Sequence, residues 1–410
     1  MTKRQILPKV KHKTNSFWIF KMSIILFKVI GLATPTISSR TYNIHSEHSF
    51  KLVYSKLGNV YNLTIVILMI STLNLCITAR LNLQYALKSS LTMGIGVGQS
   101  ILGCLCLSVI FLYYCWEQNS WIKIVNRALE IRYQLHKIDL PIEGHLFLTK
   151  TLLLVSFNVI IFLAVCITDY TAYSSNPVAW FTYLIPGFLI GWIYIQYYLI
   201  VSYLNTRLMQ VNRAFLNMSR MNWTTECDAW SLQQTRRIFI SSKSVKRLQQ
   251  LKHIHEMLCE VCSKISDFYA LPIIFGTSFL FFSLIYNAYY FITPFLRGTV
   301  KNDCLEIINI GLVLVSILYP LILVTLKNTE TTKQFRKTGS ITHKLLDSTI
   351  GEDIKKELKQ FSLQLLHWKI EFTAYELFPF NSSFLHMILA AVTSYMIILV
   401  QFQMGHANTN

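Results

Sequence analysis

The stretch Phe384–Gln403, FLHMILAAVTSYMIILVQFQ, decides how the rest of the chain is read. It is a run of 20 residues without an acid, a lysine or an arginine. That is the length a helix needs to cross a hydrocarbon core of roughly 30 Å. Inside it, Thr393-Ser394-Tyr395 is followed by Met396, Ile397, Ile398, Leu399 and Val400, and then by Gln401-Phe402. Lipid offers an amide neither donor nor acceptor, so Gln401 must find protein or water beside it.

The same reasoning extends outward. With 53% hydrophobic and 14% charged residues in 410, and a mean hydropathy of +0.41, the composition excludes an ordinary soluble domain. Apolar blocks predict an all-α membrane protein with seven transmembrane helices at 58–79, 91–115, 150–168, 179–204, 268–292, 305–326 and 383–403. Ahead of them, Phe17 to Ile37 reads as a short amphipathic or re-entrant helix, at the membrane surface rather than across it, ended by Gly31 and Pro35. The net charge of +18 stands beside no nucleic-acid-binding module, which excludes nucleic acid as a partner. Its distribution instead sets the orientation. All but four of the 38 Lys and Arg residues fall in the N-terminal segment or the loops after spans two, four and six; the exceptions are Arg80, Lys88, Arg297 and Lys301. The positive-inside rule then predicts a cytoplasmic N-terminus and an extracellular C-terminus. A G-protein-coupled receptor has the opposite orientation, and no Asp-Arg-Tyr follows span three.

Two loops carry helical stripes of their own. Val245, Leu248, Leu251, Leu258, Val261 and Ile265 form one, and Ile354, Leu358, Phe361, Leu365, Trp368 and Phe372 the other. Spans four, five and seven are expected to continue into the cytoplasm as long helices whose extensions form an anchor. The expected divisions are a cytoplasmic N-terminal segment at 1–57, helices one to six with their loops at 58–326, a cytoplasmic anchor helix at 327–382, helix seven at 383–403 and an extracellular tail at 404–410.

Several residue clusters could be sites or plain packing. His255, Cys259 and Cys262 share a helical face, but structural zinc draws ligands from two elements and no second Cys/His pair stands out, so this face is expected to pack and no metal is assigned. Gly94 and Gly98 in MGIGVGQS lack the Lys-Ser/Thr ending of a phosphate loop and are expected to allow close helix contact. Pro186, Pro272 and Pro320 interrupt spans and are expected to free backbone groups beside a cavity. No nucleophile–base or paired-carboxylate arrangement is present, so no catalytic residue, cofactor or enzyme activity is expected. Aromatic and polar residues crowd the outer halves of spans four and five. Trp180, Tyr183, Tyr286, Asn287 and Tyr290, near Asp169, Asp303 and Glu306, are candidates for a ligand pocket open to the outside.

At the last span, Ser394-Tyr395, five apolar residues and Gln401-Phe402 resemble the TYhhhhhQF signature of insect gustatory receptors, with Ser for Thr. The whole run from Phe361 to Phe402 is similar to that family's final cytoplasmic helix and span. Phe27-Lys28-Val29-Ile30-Gly31-Leu32 also looks like its segment before span one. Sugar receptors of the family tend to have Glu after the Tyr, where this chain has Met396. The resemblance implies a tastant-gated, non-selective cation channel for bitter or other non-sugar compounds. It implies a homo- or heterotetramer in the plasma membrane of sensory neurons, including dendrite, axon and cell body. Its partners would be a small-molecule tastant, membrane lipid and the permeating cations, with the ligand bound among spans two to six and the last span lining the pore. On that helix Ser394, Ile398 and Gln401 share one face, while Tyr395, Ile398 and Phe402 share an overlapping one. A small rotation would exchange a dewetted ring of Phe402 for a wetted ring of Gln401. The alternatives are a partner subunit without its own ligand, or a seven-helix transporter.

Overall fold

Apolar runs that cross lipid must satisfy every backbone N–H and C=O internally, and this chain does so with helices. The computed structural model describes residues 22–38, 51–81, 90–138, 140, 144–173, 177–227, 234–297, 304–348, 352–368 and 370–407. Helix α1 (22–30) is followed by a short antiparallel pair, β1 (Thr36–Ser38) with β2 (Lys51–Val53). Then come α2 (Lys56–Leu81), α3 (Ser90–Trp116), α4 (Gln118–Lys137), α5 (Gly144–Tyr173), α6 (Pro177–Cys227), α7 (Gln234–Arg297), α8 (Cys304–Ser348), α9 (Glu352–His367), the hairpin β3 (Thr373–Ala374) and β4 (Phe378–Pro379), and α10 (Ser382–Ala407). Among the described residues, seven of these helices (α2, α3, α5, α6, α7, α8 and α10) are long and apolar enough to cross a membrane. These correspond to the seven expected spans. Phe17–Lys21, at the start of the expected surface helix, lie outside the described residues; the helix ends at Gly31, whose φ of 90° belongs to the left-handed region.

Length separates two kinds of helix. The 64 residues of α7 follow a contour of about 96 Å at the helical rise, roughly three bilayer cores. With α6 (51 residues) and α8 (45 residues) it projects far beyond any membrane. The long, continuous helices are therefore spans four, five and six. The expectation that span seven continues in the same way is corrected: α9 stops at His367 and a hairpin intervenes before α10. The single anchor helix expected at 327–382 is thus the end of α8, α9 and that hairpin. Burial explains the break. Phe372, Ala374 and Phe380 are buried in the main core, Ser266 Oγ on α7 accepts from Thr373 N at 3.2 Å, and Tyr375 and Glu376 turn through positive φ (47° and 59°). Both stripes bury a face: Leu248, Leu251, Leu258, Val261 and Ile265 on α7, and Ile354, Leu358 and Phe361 on α9. Trp368, expected within the second stripe, lies past the end of α9 and is exposed.

Gln196 sits at the centre of the bundle. Its Oε1 accepts from Tyr114 (2.7 Å, α3) and Tyr269 (3.0 Å, α7), and its Nε2 donates to Leu32 O (2.8 Å) just after α1. Burying such an amide costs least when both ends are satisfied, as here. The glycine expectation is redirected. A Cβ on Gly94 or Gly98 would meet nothing within 4 Å, whereas one on Gly103 would come within 2.9 Å of Phe279 and 3.0 Å of Pro186. The close approach of α3 to α6 and α7 therefore depends on Gly103. His255, buried at the projecting end, meets Phe335 and Phe361 edge-on, with Cys259 Sγ 3.6 Å from its Nδ1.

At that end Lys252 Nζ donates to Glu357 Oε2 at 2.8 Å, tying α7 to α9, and Gln249 Nε2 donates to Oε1 at 3.1 Å. The Lys252 bond first, then that of Gln249, holds the Glu357 carboxyl below the usual carboxylate range. A folded-state pKa below the unfolded one contributes stability above the unfolded value, and that stability is lost as pH falls through the folded value. Wild type is expected to exceed Glu357→Gln by about 0.5–1 kcal/mol at neutral pH. In melting curves of the solubilised protein this difference should shrink once pH falls below the usual carboxylate range of about 4 and disappear at still lower pH; a difference unchanged on acidification would remove the ion pair from the account.

Candidate functional site

Five helices converge on a small cavity. Gln99 (α3), Asn158 and Phe162 (α5), Tyr183 and Phe188 (α6), Phe279 and Ser283 (α7), and Ser316 (α8) contribute to its wall. Gly187 and Gly191 present bare backbone there, one helical turn apart and directly after Pro186. Pro186 has no N–H to continue the ladder, which frees a carbonyl one turn earlier on α6, and the two glycines leave the wall without side-chain bulk.

Polar groups in the wall are tied to one another. Gln99 Nε2 donates to Ser283 Oγ at 3.0 Å, and the Tyr319 hydroxyl donates to Asn158 Oδ1. Above them the carboxylate of Asp169, itself buried, accepts from Trp180 Nε1 (2.8 Å), from the Tyr183 hydroxyl and from Asn309 Nδ2 (3.4 Å). Phe162 and Phe188 stack with centroids 3.9 Å apart and 22° between planes. The free volume is ≈ 40 Å³, room for water but far below the roughly 300 Å³ at which small-molecule pockets begin. A larger opening of ≈ 360 Å³ lies elsewhere, where the β3–β4 hairpin meets α7; Ser263, Ser266, Asp267, Glu371 and Glu376 line it, and it is open to solvent.

The five pocket candidates divide between two places. Tyr183 lines the cavity, and Trp180 shares with it the Asp169 carboxylate. On α7, Tyr286 and Tyr290 instead pair at 4.7 Å and belong to a cluster with Ile310 of α8 and Leu399 and Val400 of α10. Asn287 Nδ2 donates to the Ser283 carbonyl one turn back on its own helix. Asp303 lies outside the described residues. Asn158, Gln99 and Ser283 were not singled out from the sequence, although an isolated amide in an apolar span is itself a signal of a site.

The last helix faces outward. Ser394, Tyr395, Ile398 and Gln401 are all exposed, and Tyr395 meets Phe281 of α7 edge-on at 6.0 Å. Ser394 donates to Ala390 O at 3.0 Å. The side chain of Phe402 lies outside the described residues. Alternate faces of α7 therefore touch the cavity, through Phe279 and Ser283, and α10, through Phe281.

Seven long apolar helices, five of them around a small cavity and three of them far longer than a membrane span, define a polytopic membrane protein. Residues 20–406 match the family model described as 7tm Chemosensory receptor, and the chain belongs to that family. It is similar to putative gustatory receptor 28b of Drosophila melanogaster, 27% identical over 243 residues, 56% of this chain and 51% of the relative. It is also similar to gustatory receptor for bitter taste 66a of the same organism, 26% identical over 174 residues, 40% of this chain and 32% of that protein. The chain thus spans about half the length, or less, of these relatives. Its fold is similar to that of the insect olfactory receptor OR5 from Machilis hrabei, with TM-score 0.58 and 13% identity, over 94% of this chain and 98% of that one.

Proposed function

We propose that this chain is a gustatory receptor that acts as a tastant-gated, non-selective cation channel. Four copies would surround a pore lined by α10, with a bitter or other non-sugar tastant held in the cavity between α3, α5, α6, α7 and α8. The observation that carries this reading is the outward face of α10, where Ser394, Ile398 and Gln401 are exposed in one line. A glutamine facing lipid is costly, whereas four glutamines around water are not. The charge distribution supports an N-terminus inside and a C-terminus outside.

The small cavity supports gating. A ligand larger than ≈ 40 Å³ can enter only by spreading the helices around it, and α7 is common to the cavity and α10. Binding then favours the spread state by its differential affinity, and α10 shifts with α7. The relative whose name gives bitter taste supports the non-sugar assignment, as does Met396.

A panel of bitter and sweet compounds applied to cells expressing the full chain, recorded as whole-cell current, tests the proposal. A bitter compound is expected to evoke a cation current that reverses near zero millivolts. Current only with a second receptor coexpressed would establish a partner subunit, and saturable uptake without current a transporter.

A further inference from the structure

Asn158 is the one amide in a mostly apolar run on α5, LLLVSFNVIIFLAVCI. It is 4% exposed, and the Tyr319 hydroxyl from α8 holds its Oδ1. Asn158 is also part of the cavity wall. Among the described residues, Asn158 Nδ2 has no hydrogen-bond partner. A buried donor left unmade is unfavourable until something accepts from it, so the site is primed for an acceptor.

The rest of the wall restricts what brings that acceptor. No lining side chain is charged, and the nearby Asp169 carboxylate is turned onto Trp180, Tyr183 and Asn309. An ion entering here would lose its hydration without a counter-charge in the wall. Phe162, Phe188 and Phe279 offer ring faces and edges, which suit a flat ring better than a branched polar one.

We propose that this cavity selects uncharged, flat aromatic molecules bearing a hydrogen-bond acceptor, and that Asn158 Nδ2 donates to that acceptor. The inference rests on the reading of the cavity as the ligand site. Sequence context alone does not separate Asn158 from any other buried amide; its half-satisfied state in the cavity wall does.

Three ring systems of nearly one shape test it: quinoline, which has a ring-nitrogen acceptor and is neutral at pH 7; naphthalene, which has none; and N-methylquinolinium, which is permanently charged. Binding is measured calorimetrically on the full chain in lipid nanodiscs. Wild type is expected to bind quinoline about tenfold more tightly than naphthalene, the value of one charge-free hydrogen bond to a desolvated donor. N-methylquinolinium should bind more weakly than either. The double variant Asn158→Leu/Tyr319→Phe removes both partners of the buried pair together, so no orphan hydroxyl compromises folding, and it should bind the two neutral rings equally. Tyr319→Phe alone keeps Nδ2 and should keep the preference. Equal binding of quinoline and naphthalene by wild type, or a preference that survives the double variant, overturns the role of Asn158. Charged and neutral rings binding alike would overturn the restriction to uncharged ligands. Gly187→Leu and, independently, Ser316→Leu fill the cavity and should abolish binding of both neutral rings. If both still bind these variants at wild-type affinity, or if neither binds wild type, the cavity is not the ligand site and the reading beneath the inference fails as well.

Discussion

Phe361→Ala is expected to lower the stability of the projecting end of the bundle by about 3–5 kcal/mol, the usual cost of removing a fully buried phenylalanine. Phe361 is 1% exposed, stacks on Phe215 of α6 at 5.5 Å and meets His255 on α7 nearly at right angles at 5.4 Å. Helix α9 has 16 residues and buries only Ile354, Leu358 and Phe361. A helix that short is marginal by itself in water, so its docking depends on these three side chains. Leu363→Ala is the control, because Leu363 is 63% exposed on the opposite face and should cost under about 0.5 kcal/mol. Hydrogen exchange should show Glu352–His367 exchanging faster in Phe361→Ala than in wild type, with α5 unaffected. Equal exchange in the two alanine variants would mean that α9 is held by something other than this stack.

Gln401→Leu is expected to remove most of the agonist-evoked current without lowering the amount of protein at the cell surface. The effect follows from the proposed fourfold pore. Four amides hydrate a narrow passage, whereas four isobutyl groups favour its dewetting. Because Gln401 is exposed within one subunit, its loss breaks no contact inside the subunit, and the fold should be unaffected. Gln401→Asn, which keeps the amide, should retain current. Phe402→Ala should act in the opposite sense and raise current without ligand if that residue closes the gate. Unchanged conductance and gating in both Gln401→Leu and Phe402→Ala would show that this part of α10 does not line the conduction path.

Much of the architecture was legible because the bilayer is such a restrictive solvent. The runs at α2, α3 and α5 have no alternative to helix in lipid, and the stripe from Leu248 to Ile265 reports its buried face through the helical period alone. The hairpin before α10 was not legible. Tyr375 and Glu376 are poor residues for positive φ, and they adopt it because Ser266 and the buried Phe372, Ala374 and Phe380 hold the strands on either side. The glycines misled for a related reason. Gly94 and Gly98 have the spacing of a packing motif, but it is Gly103 that lies where helices from distant parts of the chain cross.

The candidate site shows the same division. Tyr183 and Trp180 stood out by their position at a span end, and both lie at or beside the cavity; Tyr286 and Tyr290 stood out equally and lie against α10. Position along a helix gives depth in the membrane, while rotation about the axis decides which neighbour a side chain meets. Over spans as uniformly apolar as these, the hydrophobic period that would reveal rotation is nearly absent, because lipid and protein interior attract the same residues. The last span was the exception. The sequence by itself determined that Ser394, Ile398 and Gln401 share a face, since helical geometry needs no partner. Only the tertiary structure decided that this face points away from the subunit, and that Asn158 stands in a cavity wall with one end of its amide unpaired. Both depend on contacts between helices more than a hundred residues apart, such as Tyr319 with Asn158 and Phe281 with Tyr395.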